Sequence, residues 1–320
     1  MTKAQTILVT GGAGFIGSHL VERLLADGRR VVCLDNFNDY YDPAIKRENI
    51  AGALSNPAYT MVEGDILDGR LLDRLLAEND FKIIVHLAAR AGVRPSLDNP
   101  LLYEKVNCEG TLNLLERARR SDVDHFIFGS SSSVYGINSK VPFSEDDPVN
   151  QPISPYAATK RSGELLCYTY HHLYALPVTC LRFFTVYGPR QRPDMAIHKF
   201  TKLIEAGDEI TLFGDGRSRR DYTYVDDIID GVTKAIDRPA GYKIYNLGES
   251  QTIELLDLIH LIETALGREA KIDWQPNQPG DVPITYADID AAKRDLGYAP
   301  ATPIASGIPR SVEWYLENNR

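Results

Sequence analysis

Thr6-Ile7-Leu8-Val9-Thr10-Gly11-Gly12-Ala13-Gly14-Phe15-Ile16-Gly17 is the stretch on which the fold is read. Thr6–Thr10 is short, apolar and rich in β-branched residues, which predicts a strand. Phe15–Ala26 carries Ile16, Leu20, Leu24 and Leu25 at helical spacing. Glycines join the two. One allows the tight turn, a second lets the backbone approach a pyrophosphate, and a third lets helix and strand pack closely. Phosphates then meet the helix N-terminus, where unpaired N–H groups and the dipole favour negative charge. A glycine-rich turn alone is a weak signal. Here a strand precedes it, a helix follows, and Asp35 ends the next strand, Arg30–Leu34. A carboxylate at that point accepts hydrogen bonds from a ribose and repels a 2′-phosphate, so NAD is the expected cofactor rather than NADP.

The same alternation continues outward. Strands are predicted at Tyr59–Glu63, Lys82–His86 and His125–Gly129, with helices near Leu71–Glu78 and Tyr103–Arg119. A helix follows over Tyr156–Tyr174, then strands at Val178–Phe183 and Ile244–Leu247. Helices near Ile253–Leu266 and Ile304–Glu317 lie in a C-terminal third richer in proline and turn residues. The expected class is α/β: a Rossmann-type doubly wound parallel sheet with a smaller C-terminal substrate-binding lobe. Residues 1–183 form the expected NAD-binding domain, which also receives a strand near 244–247. Residues 184–320 are mainly the lobe, interleaved with it. No internal repeat interrupts this pattern.

Composition narrows the partners. The chain has 320 residues, 43% hydrophobic and 25% charged, an ordinary globular balance. Its apolar runs are too short to cross a bilayer, and the N-terminus shows no secretory apolar region, so no membrane partner is expected. Cys33, Cys108, Cys167 and Cys180 have no metal or disulfide spacing; they read as free thiols of a cytoplasmic protein. The net charge of -9 argues against nucleic acid. A small anionic ligand needs only local cations, and Arg190 with Arg192, or Arg217, Arg219 and Arg220, supply them. No metal site is expected. His86, His171, His172 and His198 read as packed or surface residues.

Ser154-Pro155-Tyr156-Ala157-Ala158-Thr159-Lys160 opens a helix and puts Tyr156 and Lys160 on one face. A phenol ionises near pH ~10, too high for a base at neutral pH, and a nearby ammonium lowers that value. Lys160 is the expected ammonium and also a holder of the nicotinamide ribose. The run Ser130–Ser133 ends a strand, at the edge where α/β sites form. A hydroxyl there, from Ser131 or Ser133, can bond a substrate oxygen and the tyrosine. Gly64-Asp65-Ile66 and Leu87-Ala88-Ala89 follow the third and fourth strands and fit an adenine and ribose channel. The candidate cofactor set is Gly11, Gly14, Phe15, Ile16, Gly17, Asp35, Asn36, Asp65, Ile66, Leu87, Ala88, Ala89, Asn107 and Phe183, with Tyr156 and Lys160.

These motifs together resemble the extended short-chain dehydrogenase/reductase family of nucleotide-sugar enzymes, over essentially the whole chain. The serine run before Val134-Tyr135-Gly136 bears on the reaction. Dehydratases of that family carry an Asp-Glu pair there and decarboxylases a Glu, whereas this sequence has Ser132 and Ser133. The resemblance therefore implies chemistry at C4 alone, which is 4-epimerisation. Asn38–Pro43, Ala91–Arg94, Phe183–Pro189 and Arg192–Met195 are similar to UDP-glucuronate 4-epimerases, so the implied substrates are UDP-glucuronate and UDP-galacturonate. That resemblance points to Arg192 as the partner of the sugar carboxylate, with Thr185, Ser132 and Ser133 as hydroxyls and Arg94 as a further cation. A guanidinium suits a carboxylate because it is planar, always charged and bonds at two points. Lys199, Arg220 and Asp281, the last in Pro279-Gly280-Asp281, are implied nucleotide contacts. The segment around Arg190 departs from the family's usual aromatic–glycine pair. The family also pairs the helices near Tyr103–Arg119 and Tyr156–Tyr174 across a two-fold axis, so a homodimer is implied, with Leu112, Leu115, Leu165 and Tyr168 as its apolar positions.

Other readings stay open at this point. One is a 4-epimerase of a neutral UDP-sugar such as UDP-glucose, separable by turnover with each sugar. Another is a net oxidoreductase that exchanges its nicotinamide cofactor, which Asp35 disfavours. A third is a non-catalytic NAD sensor, which would not need Ser131, Tyr156 and Lys160.

Overall fold

The structure is a computed structural model describing residues 5–276 and 282–318. Its centre is a seven-stranded parallel sheet. Six strands come in succession: β1 Thr6–Thr10, β2 Arg30–Asp35, β3 Tyr59–Glu63, β4 Phe81–His86, β5 His125–Ser131 and β6 Val178–Phe183. Three two-stranded pairs lie outside it: β7 Thr185–Tyr187 with β10 Tyr222–Tyr224, β8 Glu209–Phe213 with β13 Lys271–Gln275, and β9 Arg219–Arg220 with β12 Ile253–Glu254. The last sheet strand, β11 Tyr242–Leu247, comes back from that region and pairs with β6.

The sheet order is β11-β6-β5-β4-β1-β2-β3. The chain runs one way from β1 to β3 and then jumps to β4 on the other side of β1. The carboxyl ends of β1 and β4 thus diverge, and the crevice between them is where such sheets bind ligands. Alternation of side chains explains the apolar strands. Ile7, Val9, Val31, Cys33, Ile83 and Val85 face one layer, built on Phe15–Ala26 and Val225–Ile236. Leu8, Val32, Leu34, Ile84, Phe126 and Phe128 face the other, built on Gly69–Glu78, Gly110–Ala118 and Pro155–Tyr174. Gly163 belongs to this second layer because the Phe128 ring passes over it; a Cβ there would lie 2.3 Å from Phe128 Cζ. A third cluster, including Tyr187, Ile197, Phe200, Leu212, Tyr222 and Leu258, lies among β7, β8, β10 and the helices Ala196–Ala206, Leu255–Leu266 and Ile304–Asn318.

Two expectations about local structure change. The single helix expected over Tyr103–Arg119 is divided into Pro100–Tyr103, a π-helical turn Glu104–Glu109, and Gly110–Ala118. The wider turn carries Asn107 inward, and Gly110 lets Ile66 approach to a distance that would be 2.4 Å from a Cβ. Leu115 is fully buried within its own chain, so it is not one of the exposed apolar positions; Leu112, Leu165 and Tyr168 are exposed. Among the described residues no helix is long and apolar enough to cross a membrane.

Candidate active site

A cleft of about 490 Å³ opens at the crevice between β1 and β4. Its floor is the glycine loop. Gly11 has φ +71° and rests against Ala88, where a Cβ would stand 2.7 Å from the Ala88 nitrogen. Gly17 allows the helix to press on the turn, since a Cβ would lie 2.1 Å from the Gly11 oxygen. Gly14 is the N-cap of Phe15–Ala26 and brings no side-chain cap. The first N–H groups of that helix have no intrahelical acceptor, and Gly14, Phe15, Ile16 and Gly17 all line the cleft. This cradle fits a pyrophosphate.

Asp35 lines the same cleft beyond the loop. Its two oxygens accept from Ala13 N at 3.1 Å and Phe37 N at 2.9 Å, so its direction is fixed. Burial raises its pKa, against the pull of those N–H groups and of Lys46. Asn36 Nδ2 donates to Asp65 Oδ2 at 2.9 Å, joining the ends of β2 and β3 into one wall. Ile66, Leu87, Ala88, Ala89 and Phe183 complete that side. Asn107, expected among the cofactor contacts, stands one layer back. It is buried and does not line the cleft; its amide bonds both backbone groups of Arg90 and Thr159 Oγ1, so it braces the loop after β4. Lys46, Tyr40 and Tyr41 line the cleft without having been assigned a role from sequence. Only the Asn38–Pro43 resemblance touched the two tyrosines.

At the other end stand Tyr156 and Lys160. Ser154 caps their helix by accepting from Ala157 N at 3.1 Å, which sets where Tyr156 emerges. Its ring meets Tyr103 edge-on at 6.3 Å. Burial raises the phenol pKa, while a hydrogen bond with Ser131 and the charge of Arg192 act to lower it. Arg192 thus adds a second cation beside the phenol to the one expected from Lys160, which lines the same cleft. Lys160 donates to the Gly129 oxygen at 2.6 Å, and burial lowers its pKa to about 8. The Ser131 and Ser133 hydroxyls lie 3.1 Å apart and Ser131 Oγ accepts from Ser133 N at 3.2 Å, so the serine run is a small ordered turn. Behind it, Ser130 donates to Glu164, whose carboxylate is held at both oxygens by the buried Arg182. Ser131, Ser132, Ser133, Tyr156, Lys160 and Thr185 all face the cleft.

Arg192 reaches the same space from the loop after β7. Its Nε and Nη2 each lie 2.9 Å from a different oxygen of Asp194. Asp194 lines the cleft as well and is a residue that sequence reasoning missed. The other proposed cations fall elsewhere. Arg94 packs its guanidinium 4.7 Å over the Phe213 ring and is not part of the cleft lining. Lys199 is exposed on Ala196–Ala206, and Arg220 Nη1 donates to the Arg219 oxygen at 2.9 Å; neither lines the cleft. Arg190 pairs with Glu22 at 2.6 Å and Arg219 with Glu254 at 3.1 Å. Asp281 lies outside the described residues. His86 is buried between Thr10 and Thr111 hydroxyls at 2.8 and 3.0 Å, and burial lowers its pKa to about 3. Among the described residues no group of His, Cys, Asp and Glu could hold a metal ion.

A doubly wound sheet with a phosphate cradle, an acidic residue ending β2 and a Tyr–Lys pair across one cleft defines a nicotinamide-dinucleotide enzyme. The chain belongs to the NAD-dependent epimerase/dehydratase family, whose model matches residues 7–248. It is similar to UDP-glucuronate 4-epimerase 4 of Arabidopsis thaliana, at 45% identity over 97% of this chain and 75% of that one. A probable UDP-glucuronate 4-epimerase of Rhizobium meliloti is 40% identical over 98% and 97% of the two chains. Among solved structures, UDP-glucuronic acid 4-epimerase from Bacillus cereus, in complex with UDP-glucuronic acid and NAD, superposes with a TM-score of 0.93. It shares 38% identity over 98% of this chain and 99% of its own.

Proposed function

We propose that this protein is an NAD-dependent 4-epimerase that interconverts UDP-glucuronate and UDP-galacturonate through a 4-keto intermediate. The carrying observation is that Arg192 lines the same cleft as Tyr156, Thr185 and the serine run. A sugar whose C4 hydroxyl meets Tyr156 thereby has a guanidinium at hand for its carboxylate. The relatives named above support the same reading.

The cofactor set fits the residues present: Gly11–Gly17 for the pyrophosphate, Asp35 with Asn36 for the adenosine ribose, and Lys160 for the nicotinamide ribose. Bound there, NAD would supply the hydride-accepting and hydride-donating chemistry at C4. The chain's own residues handle the proton. Tyr156 would take the proton of the C4 hydroxyl as C4 is oxidised and return it as the ketone is reduced from its opposite face. Ser131 fixes the phenol oxygen, and Ser132, Ser133 and Thr185 offer hydroxyls to the sugar. No acid–base carboxylate stands in the serine run, so elimination and decarboxylation lack their residue.

One observation favours a second reading, a 4-epimerase of a neutral UDP-sugar: Arg192 already has a carboxylate partner in Asp194. Parallel turnover of UDP-glucuronate and UDP-glucose, with no dinucleotide added, separates the two. The proposal expects the charged sugar to be converted with the higher kcat/KM; the reverse order would favour the neutral sugar.

Residues 1–183 with the strand at 242–247 would hold the dinucleotide, and most of 184–320 the nucleotide sugar. The three buried cysteines and the half-buried Cys108 are all free thiols, which suits the cytoplasm. Leu101, Leu112, Leu165, Tyr168 and Leu173 are exposed on the helices of one face. Such a surface suits a C2 homodimer. Sedimentation at micromolar concentration is expected to give twice the chain mass; a monomer would contradict this.

A further inference from the structure

We infer that Asp194 is a positioning residue, one that aims the Arg192 guanidinium at the sugar carboxylate. The inference rests on the proposed function and adds a residue to it. Arg192 and Asp194 sit on one turn, closed by Met195 N donating to the Arg192 oxygen at 3.1 Å. That turn is anchored by Gln191, whose side chain donates to the Val186 oxygen and accepts from His198 N, both at 3.0 Å. An arginine side chain on such a turn still has several free torsions. The two bonds of 2.9 Å from Nε and Nη2 to separate Asp194 oxygens remove them. A guanidinium is planar, so fixing one edge fixes the direction of the other. The Nη1 edge takes no part in that pair, and Arg192 lines the cleft.

Asp194 is in turn held from the opposite wall. Tyr40 donates to Asp194 Oδ2 at 3.3 Å, and the Arg192 guanidinium stands 5.4 Å over the Tyr40 ring. Tyr40 belongs to the loop that begins at Asp35. Phe37 N donates to Asp35, Asn38 N to Asn36 and Tyr40 N to Asn38, each at 2.9–3.1 Å, and Lys46 Nζ holds the Asn38 oxygen at 2.8 Å. The loop shaped at the cofactor end thus ends against the Arg192–Asp194 pair. Burial acts against both charges, yet Arg192 holds the Asp194 carboxyl below its usual range. The pair is charged at neutral pH.

Asp194→Asn tests this, because it keeps size but loses the second acceptor oxygen. Kd values for UDP-glucuronate and for UDP are measured by calorimetry on wild type, Asp194→Asn, Arg192→Ala and the double variant, with products followed by mass spectrometry. Asp194→Asn is expected to weaken UDP-glucuronate about tenfold, the loss of one charge-assisted bond, and to leave UDP nearly unchanged. It should add little in the Arg192→Ala background, since it acts through Arg192. It should also raise the share of decarboxylated product. Equal weakening of UDP, full additivity in the double variant, or an unchanged Kd for UDP-glucuronate would each overturn the inference while the functional reading stands. A wild type that leaves UDP-glucuronate unconverted would overturn that reading, and this inference with it.

Discussion

Tyr156→Phe is expected to lower turnover of UDP-glucuronate by about 10²–10⁴-fold, the range for loss of a general acid–base group. Only the hydroxyl is removed. The ring keeps its edge contact with Tyr103, and the helix keeps its Ser154 cap. Lys160 still holds the Gly129 oxygen, so the wall of the dinucleotide cleft is unchanged. Circular dichroism and bound dinucleotide should therefore match wild type while kcat collapses. Loss without misfolding distinguishes a proton carrier from a packing residue. A variant retaining more than about a tenth of wild-type turnover would show that another group moves the proton.

Arg192→Ala should act on both affinity and product. A charge-assisted bond worth roughly 1.5–3 kcal/mol is lost, so kcat/KM for UDP-glucuronate should fall by roughly tenfold to a hundredfold. The second effect follows from the intermediate. A 4-keto-hexuronic acid is a β-keto acid, and it loses CO2 when its carboxylate stands perpendicular to the ketone and its charge is free. A guanidinium that fixes the carboxylate opposes both conditions. Without it the 4-keto-pentose should accumulate with an equivalent of reduced cofactor seen by absorbance, or, where the hydride is returned to it, a UDP-pentose with the cofactor reoxidised. A neutral sugar, lacking the carboxylate, should lose much less. Normal epimerisation by the variant, with no new product, would place the carboxylate elsewhere. Arg94, stacked on Phe213 beside the cleft, would be the next residue to test.

The contrast between Gly11–Gly17 and Asp194 shows what the sequence could carry. The glycine loop, Asp35 and the Tyr156–Lys160 spacing are local signals: each needs only a strand, a turn or one helical repeat to have its meaning. The parallel sheet follows from the same kind of signal, since its strands are apolar on both faces. Other features depend on tertiary geometry. Asp194, quoted only within the Arg192–Met195 segment, has no role until the turn at 192–195 folds it onto Arg192. Lys46 carries no local signal, yet the loop before it turns its amine inward to the Asn38 oxygen. Asn107 lies where a regular helix was expected, and a π-helical turn instead faces it toward Arg90 and Thr159. Lys160 shares a helix face with Tyr156, but spacing cannot say that its amine also donates to the Gly129 oxygen, or that Arg192, distant in sequence, lines the same cleft.

The most direct test of the account is proton NMR of UDP-glucuronate incubated with the purified protein and no added cofactor. The account predicts that the anomeric signal of UDP-galacturonate grows in to a stable ratio, from either starting sugar, with no UDP-pentose and no net reduced dinucleotide. An unchanged spectrum, or conversion that stops after one equivalent unless NAD is supplied, would contradict it.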